Sequence, residues 1–144
     1  MRYTLRFFIS WLASAVAMYS AFYVWHGMIL NDFKQIEFSM PLFLLMTSIA
    51  YLIISFLLYR VFETKILQFI DNFFIRAFVS SAIVGVSLFI IMTVLHIQFT
   101  KNVTSTYLMV DLFWQVAEQS FGALIIALCK QFVYEAPPAE EVMD

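Results

Sequence analysis

Polar side chains that could bind a proton, a cation or a polar solute recur in the first half of the last hydrophobic segment, residues 111–130. Asp111, Gln115 and Glu118 are four and three residues apart, and this spacing places them on one face of a helix. A carboxylate well inside a membrane-spanning helix costs about 2.5–3.5 kcal/mol on insertion scales. We therefore expect this face to point at other protein segments or at water rather than at lipid.

Candidate partners for this face come from the other hydrophobic segments. Ser48 and Tyr51 belong to a hydroxyl-bearing stripe of the second segment, and His26 and His96 close the first and third segments. At about 1.5 Å of rise per residue, both histidines and Asp111 lie at one membrane boundary, with Glu118 ~10 Å deeper. The predicted polar pocket contains Asp111, Gln115, Glu118, His26, His96, Ser48 and Tyr51.

Four roles are compatible with the polar residues of this pocket. In a structural role, Glu118 is neutral or hydrogen-bonded to Tyr51, Ser48 or Gln115. Alternatively, Asp111 and Glu118 are steps for protons or cations. Mixed nitrogen and oxygen ligands from His26, His96 and Asp111 suit zinc or iron, and two histidines at equal depth permit haem ligation. No cofactor is identified by these residues, and we expect none.

Several classes of protein are excluded by composition and motifs. The chain has 144 residues, of which 63% are hydrophobic and 12% are charged, whereas soluble domains have about 45–50% apolar and about 25% charged residues. Its net charge of −2 without a basic cluster argues against nucleic-acid binding. Cys129 is the single cysteine, and no nucleophile elbow, HExxH motif or phosphate loop is present. We therefore do not expect an enzyme.

The elements that must position the pocket are membrane-spanning helices of about 20 apolar residues each. We predict an all-α, integral membrane four-helix bundle over residues 1–134, with spans at 7–30, 41–59, 74–97 and 107–130, and an acidic disordered tail over 135–144. Residues 62–74 have the pattern of a short helix lying in the membrane interface. Small residues predict two ridges of close helix contact, one at Ala13, Ala17 and Ala21, the other at Ala77, Ser81 and Gly85.

The two halves of the chain resemble each other. A shift of 70 residues aligns 6–27 with 76–97 and gives six identities in 22 positions, including Arg6 with Arg76 and His26 with His96. We interpret the halves as tandem-duplicated helical hairpins in parallel orientation, related by an axis along the membrane normal. Only the second half has acids at the start of its second span.

The orientation of the bundle follows from its basic residues. If both termini are cytoplasmic, the inner side holds Arg2, Arg6, Arg60, Lys65, Arg76 and Lys130, and the outer side holds Lys34 and Lys101. This distribution satisfies the positive-inside rule and makes the polar pocket face outward. We expect a bacterial inner-membrane protein whose partners are the lipid bilayer and either other membrane subunits or further copies of itself.

Two functions are compatible with these features. The first is an accessory or interaction subunit with an outward-facing pocket of His, Asp and Glu side chains. The alternative is a small proton- or cation-coupled transporter, or a metal- or haem-binding membrane protein, that uses the same pocket.

Overall fold

The computed structural model describes residues 5–35, 39–99 and 105–133, and all regular structure in these residues is helical. Helix α1 (Leu5–Phe22) continues into a π-helix (Tyr23–Ile29) and is followed by a 3₁₀ turn (Asp32–Gln35). The remaining helices are α2 (Met40–Phe62), α3 (Phe73–Phe99) and α4 (Ser105–Phe132). The predicted acidic tail lies outside the described residues.

Within the residues that the structure describes, four helical segments are long and apolar enough to cross a membrane: Leu5–Ile29, Met40–Phe62, Phe73–Val94 and Leu108–Phe132. Their bounds lie close to those expected from the sequence. Local signals fix some of the ends, since Pro41 lies in the first turn of α2, where its missing N–H is not needed. The all-α class and the four apolar helices are thereby confirmed, and they indicate an integral membrane protein.

Each helix contacts the next one along the chain, and α4 packs mainly on α3 and α1. Helices α1 and α3 therefore lie at opposite corners of the bundle. The predicted ridge of α3 mediates its contact with α4. The Ser81 and Ser120 hydroxyls are 3.0 Å apart, and a Cβ at Gly85 would lie 2.9 Å from Cα of Val116. Helices α1 and α2 are joined by the Trp11 indole, whose Nε1 donates to the Leu52 carbonyl at 2.8 Å.

The core lies mostly in one half of the bundle, which we call the packed half: the starts of α1 and α3 and the ends of α2 and α4. Leu58 and Phe62 of α2 and Ile126 of α4 are fully buried there. At the same end, Lys130 Nζ lies 2.7 Å from Glu63 Oε1. The opposite ends of the helices form what we call the open half, which contains the residues of the predicted pocket.

The segment between α2 and α3 forms turns rather than the regular interfacial helix that its pattern predicts. Arg76 contacts the carbonyls of these turns, since its Nη2 donates to the Ile70 carbonyl at 2.6 Å and to the Gln68 carbonyl at 3.3 Å; both bonds favour a bent chain. Asn72 then caps α3 by accepting from the Phe74 N–H at 2.9 Å. Ile66 and Phe69 in this segment are 76% and 75% exposed.

Candidate functional site: a carboxylate-lined cavity

The open half of the bundle encloses a cavity of about 570 Å³ to which all four long helices contribute. Helix α1 contributes Phe22, and the π-helix that extends it contributes His26; α2 contributes Thr47 and Tyr51. Helix α3 adds mostly apolar side chains, and α4 supplies the greatest number of polar ones. The described residues that line this cavity include two carboxylates and one histidine, but no lysine or arginine.

Glu118 lies deep in the cavity and is only 1% exposed. One of its carboxyl oxygens, Oε1, is buried and has no hydrogen-bond partner among the described residues. The Tyr51 hydroxyl of α2 lies within hydrogen-bonding reach of the same carboxyl group. A buried acceptor without a partner is costly, so this oxygen is a ready acceptor for a ligand that can donate a hydrogen bond.

The next residue along α4, Gln119, provides a second acceptor of this kind. Its side chain lines the cavity and is 1% exposed, like that of Glu118. Its Oε1 atom likewise lacks a hydrogen-bond partner within the described part of the chain. Two acceptors without partners therefore lie at nearly the same depth of the open half.

Asp111 and Trp114 lie closer to the mouth of the cavity. Asp111 is exposed and, being seven residues before Glu118, lies ~10 Å above it along the helix. The Trp114 ring stacks on Trp25 with centroids 4.3 Å apart and an interplanar angle of 11°. Its buried Nε1–H has no acceptor among the described residues. The mouth thus combines a negative charge with a broad aromatic surface.

The π-helix at the end of α1 positions His26 and Trp25. Its wide turn is closed by the Leu30 N–H donating to the Trp25 carbonyl at 2.8 Å, and such turns occur often at functional sites. The Phe33 ring covers this turn and leaves no space for a side chain at Gly27, where a Cβ would lie 2.6 Å from the ring. Glycine is therefore the residue that lets Phe33 pack here.

Five of the seven predicted pocket residues line the cavity together: His26, Tyr51, Asp111, Gln115 and Glu118. Ser48 does not line it, and its hydroxyl donates to the Leu44 carbonyl of its own helix at 2.7 Å. The side chain of His96 lies outside the described residues. Within the described residues no group of three His, Cys, Asp or Glu side chains could hold a metal ion. The metal and haem hypotheses involve His96 and stay predictions.

Sequence reasoning missed the contributions of Trp114, Trp25 and Gln119. Trp114 is three residues after Asp111 and Gln119 is four residues after Gln115, so helical periodicity places both beside the polar face. That signal was available for α4. The sequence contains no comparable signal for the Trp25–Trp114 stack, because this contact depends on the π-helix and on how α1 packs against α4.

The chain matches no protein-family model, and neither curated proteins nor solved structures provide a match. The residues of the cavity are therefore the basis for any statement about function.

Proposed function

We propose that this chain is a four-span membrane protein that binds a cation in the cavity of its open half, with Glu118 as the principal ligand-binding group. The observation that supports this function best is the buried Glu118 carboxyl, with one oxygen that has no partner among the described residues. A cation would supply the opposite charge, and it would either coordinate this oxygen directly, as a metal ion does, or donate a hydrogen bond to it, as an ammonium ion does.

The cost of placing Glu118 in a membrane helix supports a functional role for it. Acidic residues in spans are rare because of this cost, and those that are present usually mark ion, proton or ligand sites. The salt bridge between Lys130 and Glu63 lies in the packed half, away from Glu118. Glu118 therefore has a hydroxyl neighbour in Tyr51, and the described residues that line the cavity include no lysine or arginine.

The proposed orientation places the cavity on the outer side of a bacterial inner membrane, with both termini in the cytoplasm. Five described basic residues belong to the packed half and its connector, namely Arg6, Arg60, Lys65, Arg76 and Lys130. Lys34 is the basic residue of the described connector at the open half. Because cytoplasmic loops carry the excess of Lys and Arg, the open half faces outward and the cation comes from that side.

Glu118→Gln is the variant that tests this function. Purified wild-type protein is heated in detergent with sodium, potassium, ammonium, guanidinium or tetramethylammonium chloride, at matched ionic strength. We expect at least one of these cations to raise the unfolding temperature of the wild type, because a ligand at 100 times its Kd adds about 2.7 kcal/mol. The same cation should have no such effect on Glu118→Gln.

Asp71→Asn is the matched control, since it also removes one carboxylate charge but lies in the exposed connector at the packed half. It should respond to the cation as the wild type does. If neither these cations nor an organic ammonium ion distinguishes the wild type from a folded Glu118→Gln, the proposed binding function is wrong. Uptake into proteoliposomes, with and without a proton gradient, then shows whether the bound cation is also transported.

A second candidate function, an accessory or interaction subunit, is favoured by a groove on the outer surface of α3 and α4. Ala117 and Ser120 form its base and the exposed rings of Phe78 and Phe113 flank it, an arrangement that admits a helix of another membrane subunit or a second copy. Filling the groove by Ala117→Leu should reduce the mass of the complex in mild detergent if this is the function. Cation binding would then be unaffected.

We also propose that the bundle arose by duplication of a helical hairpin. A parallel repeat relates α1 to α3 and α2 to α4, so each pair must occupy opposite corners of the bundle. The observed order of neighbours is compatible with this relation. After such a duplication, acids at Asp111 and Glu118 would have specialised the second hairpin alone.

A further inference from the structure

The size of the cavity indicates a ligand larger than a bare ion. At about 570 Å³ it falls within the range of about 300–1,000 Å³ that is typical of sites for small organic molecules. Its lining is mainly apolar and aromatic, with Ile54, Leu88, Phe89 and Met92 among the contributors. A ligand that fills it must therefore have a substantial apolar body.

The charge of the cavity selects a cation within that size class. Asp111 at the mouth and Glu118 at depth carry carboxyl groups, and the described lining residues include one histidine but no lysine or arginine. Phe22, Tyr51 and Trp114 add aromatic rings, whose faces attract organic cations. An organic anion would meet two carboxylates and is disfavoured.

The two buried acceptors without hydrogen-bond partners restrict the chemical class of the ligand further. Oε1 of Glu118 and Oε1 of Gln119 belong to side chains that are 99% buried, and neither atom has a partner among the described residues. Among organic ligands, one with N–H or O–H donors satisfies them. A quaternary ammonium has the charge but no donor, and would leave both oxygens unsatisfied.

We propose that the ligand of this cavity is a protonated primary or secondary organic amine with an apolar or aromatic body. This inference rests on the proposed cation-binding function and specifies the substrate class of the same site. The ammonium group binds at Glu118, and the apolar body extends along the cavity toward the stacked pair of Trp25 and Trp114. Asp111 attracts the amine to the mouth.

Three probes with the same body test the proposal: 3,3-diphenylpropylamine, its N,N,N-trimethylammonium derivative and 3,3-diphenylpropan-1-ol. Binding to the purified wild-type protein in detergent is measured by isothermal titration calorimetry, with protein-free micelles as the blank. We expect the amine to bind at least about tenfold more tightly than the other two, since the quaternary form lacks the donor and the alcohol lacks the charge. A tenfold difference corresponds to about 1.4 kcal/mol.

Variants assign the difference to the cavity. Glu118→Gln should weaken the amine at least about tenfold and leave the alcohol unchanged, whereas Asp71→Asn should affect neither. The comparison of probes uses the wild type alone, so it stands even if Glu118→Gln does not fold.

Equal affinity for the amine and the quaternary form would overturn the requirement for an N–H donor, and equal affinity for the alcohol would overturn the requirement for charge. Absence of amine binding would overturn the substrate class. If an inorganic cation or ammonium still distinguishes wild type from Glu118→Gln in that case, the cation-binding function stands and only this inference fails.

Discussion

Glu118 makes the stability of this protein depend on the same atom that we assign to ligand binding. Its buried Oε1 has no partner among the described residues, and an unsatisfied buried acceptor costs about 1–3 kcal/mol. Such a cost is compatible with the binding function that we propose, since active and binding sites commonly reduce stability. At the residue scale, the cost of the carboxylate and its use are therefore linked.

Glu118→Leu should stabilise the ligand-free protein while abolishing amine binding. Removing the orphaned carboxyl gains about 1–3 kcal/mol, and part of this gain is offset because the Tyr51 hydroxyl loses a neighbour. We expect a net gain of about 1–2 kcal/mol in the free energy of unfolding, measured by thermal or denaturant unfolding in detergent. Tyr51→Phe should cost stability in the wild type and little in the Glu118→Leu background. A less stable Glu118→Leu protein would contradict this account.

Single residues of the site were predictable where two constraints agreed. Helical periodicity fixed the face that holds Asp111, Gln115 and Glu118, and the cost of burying a carboxylate in lipid required that face to point inward. Ser48 lacked the second constraint, because a hydroxyl in a helix can donate to its own backbone, and it does so to Leu44. Periodicity alone therefore does not bring a hydroxyl into a pocket.

At the scale of elements, the contact between α3 and α4 controls the width of the cavity. Gly85 lies against the backbone of α4, and a Cβ there would be 2.9 Å from Cα of Val116 and 3.1 Å from the Gln115 carbonyl oxygen. Gln115 is itself a cavity residue. A shift of α4 at this level would therefore be transmitted directly to the site.

Gly85→Ala should destabilise the protein by about 1–3 kcal/mol, the usual cost of overpacking, and should weaken ligand binding. Backbone atoms cannot move aside as a side chain can, so the two helices must separate. Gly122→Ala is the matched control: its Cβ would meet side chains rather than backbone, at 2.6 Å from Sδ of the flexible Met18 and 2.8 Å from Oγ of Ser14. We expect the control to cost less than Gly85→Ala in the same unfolding measurement. The reverse order would contradict the assigned roles of the two glycines.

The connector between α2 and α3 depends on one side chain. Arg76 donates to the Gln68 and Ile70 carbonyls, and its guanidinium lies 5.2 Å from the centroid of the Phe73 ring. Lysine cannot reproduce this forked geometry. The connector is therefore held in its turns by interactions that a helix-period pattern does not encode.

Arg76→Lys should loosen the connector without unfolding the bundle. A hydrogen bond to a charged group is worth about 1.5–3 kcal/mol, so backbone amides of residues 67–70 should exchange with solvent at least about tenfold faster. Hydrogen–deuterium exchange with mass spectrometry measures this change. Lys65→Ala, an exposed position in the same connector, should leave the exchange as it is. Unchanged exchange in Arg76→Lys would show that the turns are held by something else.

The elements themselves were predictable to different degrees. Apolar length gave the four helices, and the ridge at Ala77, Ser81 and Gly85 correctly predicted the close side of α3, since all three are buried. On α1 the buried positions include Ser14 and Met18, while the predicted alanine ridge is only partly buried. The buried face of α1 differs from the predicted one because Gly122 of α4 leaves space for the Met18 side chain. The sequence of α1 alone does not show which residues of another helix pack against it.

At the scale of the whole molecule, the bundle is divided into a packed half and an open half. Phe62 and Ile126 are among the side chains that fill the packed half, whereas the open half contains the cavity with Glu118. A closely packed half next to a cavity would allow the proposed ligand to bind without disturbing the whole core. The division also gives the molecule a direction, since Arg76 and Lys130 belong to the packed half.

Cysteine accessibility tests the direction that we propose. In a Cys129→Ser background, Lys34→Cys places a thiol on the connector of the open half, and Thr64→Cys places one on the connector of the packed half; both positions are exposed. A membrane-impermeant maleimide should label Lys34→Cys in intact cells and Thr64→Cys only after the cells are opened. The Cys129→Ser protein alone should remain unlabelled in both conditions.

The expected result follows from the positive-inside rule, since moving the described basic residues of the packed half outward would oppose it. Labelling of Thr64→Cys alone in intact cells would invert the orientation, and the cavity would then take its amine from the cytoplasm.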